Sequence, residues 1–482
     1  MKSLADSTVK PMKQLVSPVF IILLLAGVIS ITLFAIFPIE KVYILLPTLA
    51  TIIVFLVFSI ILKKRVGDNL FGELGFVYLA LAVAYTVFPA LTFLVIDLNL
   101  ASGWVWEKLS LLLPAPYELG IHLWRHVIFI SGVAAGYLIV RGRGIPRLGP
   151  IVDPKGKDGP SIVFLIMMIS VCILGITMLS APVTTYIDHY TRFDHLSWFA
   201  LRFVYLCLLL KVGCYFILIT FLFRHYQKFK LLIIFTVLVL CTYETAYSFG
   251  SRIETLTILL GVVCLYHYTV KPITLKMGLM SFLAIATLFS ALELFRSSGF
   301  NLNVAQDAVS REGGMPASEF GAVYFTSFHL YAERTQGTLP KRELAMFFND
   351  FISLIPFVDH TQWNPQYWYA RHFFPDAVVP PQTMGPIADS AIWGGEIDLL
   401  LRSLVNGAIF AYVVRWFLHR KDKWWGVVIY IYCYATCVMT LKYSVFYQLT
   451  PLLKILLPTL LLVAAVRRMI PLKRSSGVLN NA

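Results

Sequence analysis

The sequence predicts an all-α polytopic membrane protein of about 12 transmembrane helices, with one large structured external loop. Three observations carry this. Apolar runs of about 20 residues recur from end to end, long enough at about 1.5 Å per residue to cross a hydrocarbon core of about 30 Å. Hydrophobic residues make up 58% of the 482, and charged residues only 14%, where a soluble domain carries about a quarter. The runs show no period-two alternation, and open sheet edges do not persist in lipid, so the runs read as helices. A net charge of +14 on so apolar a chain excludes a disordered or nucleic-acid-binding tail protein.

Along the chain the runs fall at 17–38, 42–62, 72–96, 121–140, 160–181, 197–222, 231–249, 253–270, 277–295, 392–418, 424–446 and 449–466. The first, from Ser17 to Pro38, has no small-residue cleavage site and reads as a signal anchor. Alternate connections are basic. They carry Lys63, Lys64 and Arg65, then Arg141 to Lys157, Arg224 to Lys230, Lys271 and Lys276, Arg415 to Lys423, and Arg467 to Arg474. With Lys2, Lys10 and Lys13 these 24 cations fall on one side of a twelve-span chain, which the positive-inside rule makes cytoplasmic, with both termini. Only five acids (Asp6, Asp68, Asp153, Asp158, Asp422) share that side. The basic balance is therefore an insertion signal and no sign of an anionic partner in bulk. All seven cysteines lie in apolar runs without a CxxC, as small core hydrophobes do.

The chain divides into 1–295 (helices 1–9), a large external loop at 296–391, and 392–482 (helices 10–12 and a cytoplasmic tail). The loop is rich in proline and aromatic residues, more than a linker needs. Within it, Leu344 to Val358 is too short to span and reads as an interfacial or re-entrant helix ended by Pro356. No internal repeat of the transporter kind is visible.

Ionisable residues within the spans crowd the external half: Arg125, Arg202, Glu244, Arg252, Glu254, Glu293, Arg296, Glu396, Asp398, Arg402, Lys442 and Lys454, with Lys211 near mid-depth. Buried charge in a membrane marks a pathway, a site or a pair. A transporter places its site near the midplane. Charge at the external half under a structured loop suits an enzyme acting on a lipid-anchored substrate with an anionic head. Each charge also has a plainer reading. Asp398 and Arg402 are spaced i,i+4 as an ion pair, Glu244 pairs with Arg252 or another cation, and Lys454 snorkels. Arg252 follows Phe249-Gly250-Ser251 and opens a helix, where a guanidinium fits bidentate phosphate binding.

HExxH, GxSxG, P-loop and DxD motifs are absent. His360 and His372 are too few for zinc. His360 is chemically suited to act as a base. The cytoplasmic loops are too short for a nucleotide, so an enzyme of this kind would use a lipid-linked donor.

Gly250-Ser251-Arg252, the helix exit Glu293-Leu294-Phe295-Arg296, and Asp350-Phe351-Ile352-Ser353-Leu354-Ile355-Pro356 resemble motifs of the Wzy-type polymerases of O-antigen and enterobacterial common antigen. Pro380-Pro381, Gly385-Pro386, Gly394-Gly395 and Asn406-Gly407 follow, with Glu319-Phe320 a weaker match. The similarity covers about residues 240–420, and 357–379 match no pattern. It implies a GT-C-like, metal-independent glycosyltransferase of a bacterial inner membrane, without cofactor, acting at the periplasmic face. It would join undecaprenyl-diphosphate-linked oligosaccharide units, with membrane lipid and a chain-length-regulating co-polymerase as partners and no nucleic acid. Arginines would then stabilise the leaving diphosphate: Arg252 and Arg296, helped by Arg371 or Arg402. Glu319, His360, Glu396 and Asp389 are candidate bases. Trp363 and Trp368, with Tyr367 and Tyr369, either stack on sugar rings or anchor the loop. An O-antigen ligase shares these features, and a lipid-linked oligosaccharide flippase or other transporter is the rival of another class.

Overall fold

The computed structural model describes residues 39–67, 69–95, 115–142, 161–181, 192–247, 252–274, 276–278, 280–281, 317–355, 361–375, 383–444 and 449–469. All regular elements among them are helices. The long ones are α1 (Ile39–Val66), α2 (Leu74–Val95), α3 (Pro116–Arg141), α4 (Ile162–Leu179), α5 (Trp198–Arg224), α6 (Tyr226–Tyr247) and α7 (Arg252–Thr269). Then come α8 (Ala317–Gln336), α9 (Pro365–Phe373), α10 (Pro386–Ile392), α11 (Glu396–Leu418), α12 (Trp424–Thr436) and α13 (Leu457–Met469).

Nine stretches among the described residues are long and apolar enough to cross a membrane, and they coincide with nine of the twelve runs read from the sequence. The eighth run is α7, a helix of 18 residues whose Arg252, Glu254 and His267 lower its hydropathy. The first run, and the ninth beyond residue 281, lie outside the described residues. The architecture is that of a polytopic helical membrane protein.

Local chemistry sets the element ends. Pro116 opens α3 at a position that needs no N–H, and Glu118 reaches back 3.1 Å to the Ala115 amide. Asn364 caps α9 by accepting from the Gln366 amide at 2.8 Å. The closing span begins as Leu449–Pro451, widens into a π turn at Leu452–Leu456 and continues as α13. Pro458 explains the widening: it lacks an N–H for the Lys454 carbonyl, and its ring crowds that carbonyl.

The central packing is α11 along α3, with α1 on the other side of α3 and α2 beside both. Gly132 and Gly136 on α3 face Ser403 and Leu404 of α11, and Gly407 sits on the Val133 carbonyl. A Cβ at Gly136 or Gly407 would collide with backbone, so the small-xxx-small spacing permits this close crossing. α12 packs on α7, and α4 on α5.

At the end of the bundle that carries the basic connections, Glu73 and Arg141 are fully buried. They form a fork of 2.9 and 2.8 Å, and Tyr137 donates to the same carboxylate. Tyr268 donates to the Gly72 carbonyl at 2.5 Å, as does Tyr430, and Tyr434 donates to the Phe71 carbonyl at 2.7 Å. Arg65 and Arg415 donate to the carbonyls of Leu138 (2.7 Å) and Val140 (3.0 Å). These are among the last carbonyls of α3, which lack a helical partner.

One expectation changes in the loop, and one helix there is new. Of the stretch Leu344–Val358, the described part up to Ile355 is no single helix: it forms one turn at Leu344–Phe347 and another at Asn349–Ile352, broken at Phe348, while 356–358 lie outside the described residues. α8, which no apolar run marks, packs on α2 and α10. Its buried face mixes Tyr324, Ser327, His329 and Tyr331 with Phe328 and Leu330, so it reads as polar although it lies inside.

Candidate functional site

α8 positions the start of α11. Arg334, in its last turn, donates to the carbonyls of Ala391 (2.9 Å) and Trp393 (3.0 Å). These carbonyls end α10, and their capture lets the chain reverse through Gly394-Gly395. Gly395 takes φ +66, a conformation open to glycine. The reversal sets Asp398 and Arg402 on α11 against Asp389 on α10.

Arg402 Nε donates to Asp398 at 2.7 Å and Nη1 to Asp389 at 3.0 Å. Its guanidinium lies 5.2 Å from the Phe347 ring centre. Asp350, in the turn at Asn349–Ile352, accepts a hydrogen bond from Ser444 and feels both Asp389 and Arg402. Two carboxylates thus hold the guanidinium, and a third, Asp350, lies within its electrostatic reach. Burial first, and then the Asp389 charge, push Asp350 up to about 7, with Arg402 opposing. Burial also raises Asp389. Arg402 Nη2 is buried without a hydrogen-bond partner among the described residues, and so is Asn349 Oδ1, on the residue before Asp350.

Beside this cluster opens an apolar groove of about 790 Å³ between α11, α12 and the closing span. Phe351, next to Asp350, and Val405, one turn from Arg402, line its head. It continues past Ala408, Tyr412 and Leu456 to Trp416. From Val405 to Trp416 that is about 16 Å of helix, half the hydrocarbon core.

A second polar region lies on the other side of the closing span. Lys211 and Glu244 form a buried pair of 2.6 Å, and Tyr215 donates to Glu244 at 2.9 Å. A cavity of about 180 Å³ is lined by Glu244, Glu254, Thr257 and Thr436. Lys211 is thus a cation paired with Glu244.

The residues singled out in the sequence fare differently. Arg402 joins the cluster, but two aspartates neutralise it, so it is a poor helper for a diphosphate. Glu396 turns away to Arg125 at 2.9 Å, and Arg125 lies over the Tyr331 ring; an ion-paired carboxylate is a weak base. Trp368 is buried, with Nε1 donating to the Lys341 carbonyl at 3.1 Å, so it is packing and no open sugar platform. Trp363 donates to Glu343 at 3.0 Å. Arg371 is exposed and donates to the Gln362 carbonyl at 2.7 Å, within its own loop. Arg252 opens α7 and Glu319 lies in the first turn of α8, their side chains outside the described set. Arg296 and His360 lie outside the described residues. Among the described residues no three His, Cys, Asp or Glu are grouped as metal ligands.

Asp350 was quoted in the sequence only as part of a motif. Its function-like signal, a carboxylate between Asn and Phe in an apolar stretch, was visible there; its partners Asp389, Arg402 and Ser444 were not. Compared with known proteins, the chain matches no family model, no curated protein and no solved structure.

Proposed function

We propose that the protein is a glycosyltransferase of polyprenyl-diphosphate-linked glycans, a polymerase of lipid-linked repeat units working on the external face of a bacterial inner membrane. One observation carries this: a buried acid–base cluster stands at the head of an apolar groove. That shape suits a substrate with a long apolar tail and a polar reacting head. Pockets of 300 to 1,000 Å³, by general experience about the size of small-molecule sites, bury most of a ligand this way.

In this reading the polyprenyl tail lies along Val405, Ala408, Tyr412 and Leu456, and the diphosphate emerges near Phe351. Arg252 and Arg296 stabilise the leaving diphosphate, because their interaction strengthens as the glycosidic bond breaks. Arg402 does not share that task, since an anion beside Asp389 and Asp398 would be repelled.

The test is purified protein in lipid with an undecaprenyl-diphosphate-linked repeat unit and no nucleotide. Longer chains and free lipid diphosphate are expected. Arg252→Ala and Arg296→Ala should insert normally and make no polymer; a normal ladder from either removes that residue from the site. Absence of any covalent product would overturn the enzymatic reading in favour of transport.

A further inference from the structure

Resting on the polymerase reading, we infer that Asp350 is the residue that takes the proton from the attacking sugar hydroxyl, with Arg402 Nη2 as the donor that holds that hydroxyl.

The argument is geometric. Arg402 uses Nε on Asp398 and Nη1 on Asp389, which leaves Nη2 as a buried donor with no partner among the described residues. Asn349 Oδ1, on the residue preceding Asp350, is a buried acceptor in the same state. A buried donor left unmatched is costly, so an unmatched Nη2 on a guanidinium already held between two carboxylates points to a polar ligand. An alcohol is the fitting class. Its oxygen accepts from Nη2 while its proton is donated to a carboxylate. A phosphate could only accept, and the surrounding aspartates repel it.

Among the three carboxylates, Asp350 is the one that forms no ion pair with Arg402. Asp389 and Asp398 are each bonded to Arg402, whereas Asp350 accepts from a neutral hydroxyl, Ser444. It is half-buried where Asp389 is fully buried, and its neighbour Phe351 lines the groove. The charged groups it feels are Asp389 from α10 and Arg402 from α11, and Lys442 is a further buried cation on the turn at Met439–Lys442, which packs on α10. Burial and the Asp389 charge hold it near neutrality, pushed up to about 7, the range in which a base works best.

The step balances. The acceptor hydroxyl oxygen bonds to the anomeric carbon of the donor sugar. The bond from that carbon to the diphosphate oxygen breaks, and its electron pair leaves with the diphosphate. The hydroxyl proton passes to Asp350, which later returns it to water.

The experiment measures chain extension from the lipid-linked repeat unit by the full chain in lipid between pH 5.5 and 8.5. Wild type should gain rate as pH rises through about 7. Asp350→Asn should lose about 10²- to 10⁴-fold in kcat and lose that pH limb, while KM for the lipid-linked donor stays within a few-fold. If Asp350→Asn does not fold, Asp350→Glu replaces it: a rate at least ten-fold lower with the limb retained is expected. Wild-type rate and an unchanged pH profile in either variant would overturn the inference and leave the polymerase reading standing. No product from wild type overturns that reading, and this inference with it.

Discussion

At the scale of the residue, function and stability are served by two kinds of buried charge. Glu73 and Arg141 satisfy one another in a closed fork. Removing one partner leaves an unpaired buried charge, which costs about 3 to 5 kcal/mol. Glu73→Gln should therefore lose stability of that order in SDS-titrated unfolding, and Glu73→Gln with Arg141→Met should recover part of it. Asp350 is the opposite case. Its pKa in the folded chain is raised above that of the unfolded chain. Its contribution to stability is full below the ordinary carboxylate range and is lost as pH rises through about 7. The unfolding midpoint of wild type should fall between pH 4 and pH 8 relative to Asp350→Asn; parallel curves would show that Asp350 does not titrate there. The sequence displayed the i,i+4 pair of Asp398 and Arg402, since helix geometry alone makes them neighbours. It could not display Asp389 or Asp350 beside them, because those contacts come from three separate segments.

At the scale of the element, the α3–α11 crossing is the most exposed to a small change. Gly136→Val would push its side chain against the Leu404 carbonyl, and overpacking of this kind typically costs about 1 to 3 kcal/mol. Because α11 also carries Asp398 and Arg402, the variant should lose chain extension as well as stability. Gly136→Ser, smaller but still clashing, should fall between. Retained activity with lowered stability would show that the cluster tolerates a shift of α11. The long apolar helices were readable from run length. α8 was not, because tertiary burial of its Tyr, His and Ser side chains against α2 and α10 replaces the hydropathy that a run would show. The segment 344–355 was readable as too short to span, yet not as two turns. Its exposed Leu344, Phe347, Phe348 and Phe351 recur at helical spacing, while the backbone breaks at Phe348.

At the scale of the whole molecule, the groove joins two sides of the bundle's chemistry. Ala408→Trp should narrow it and raise KM for substrates with long polyprenyl tails at least ten-fold. Substrates with short tails should be little affected, since they need only its head. Equal effects on both tail lengths would place the tail elsewhere. The basic connections show the same joining of roles: Arg65, Arg141 and Arg415, which the sequence marks as an insertion signal, also close the end of α3.

By itself, the sequence determined that this chain is helical and membrane-embedded, because run length and backbone hydrogen bonding in lipid leave no other solution. It also displayed ionisable residues within the spans. Only the tertiary structure decided which of them meet. It joined Glu244 to Lys211, turned Glu396 to Arg125, buried Trp368 and brought Asp350 to Asp389 and Arg402. The reason is physical: pairing of charge falls off over a few ångströms, while the partners lie in segments tens to hundreds of residues apart. Their approach is set by how glycine-faced helices cross and how the chain reverses at Gly395.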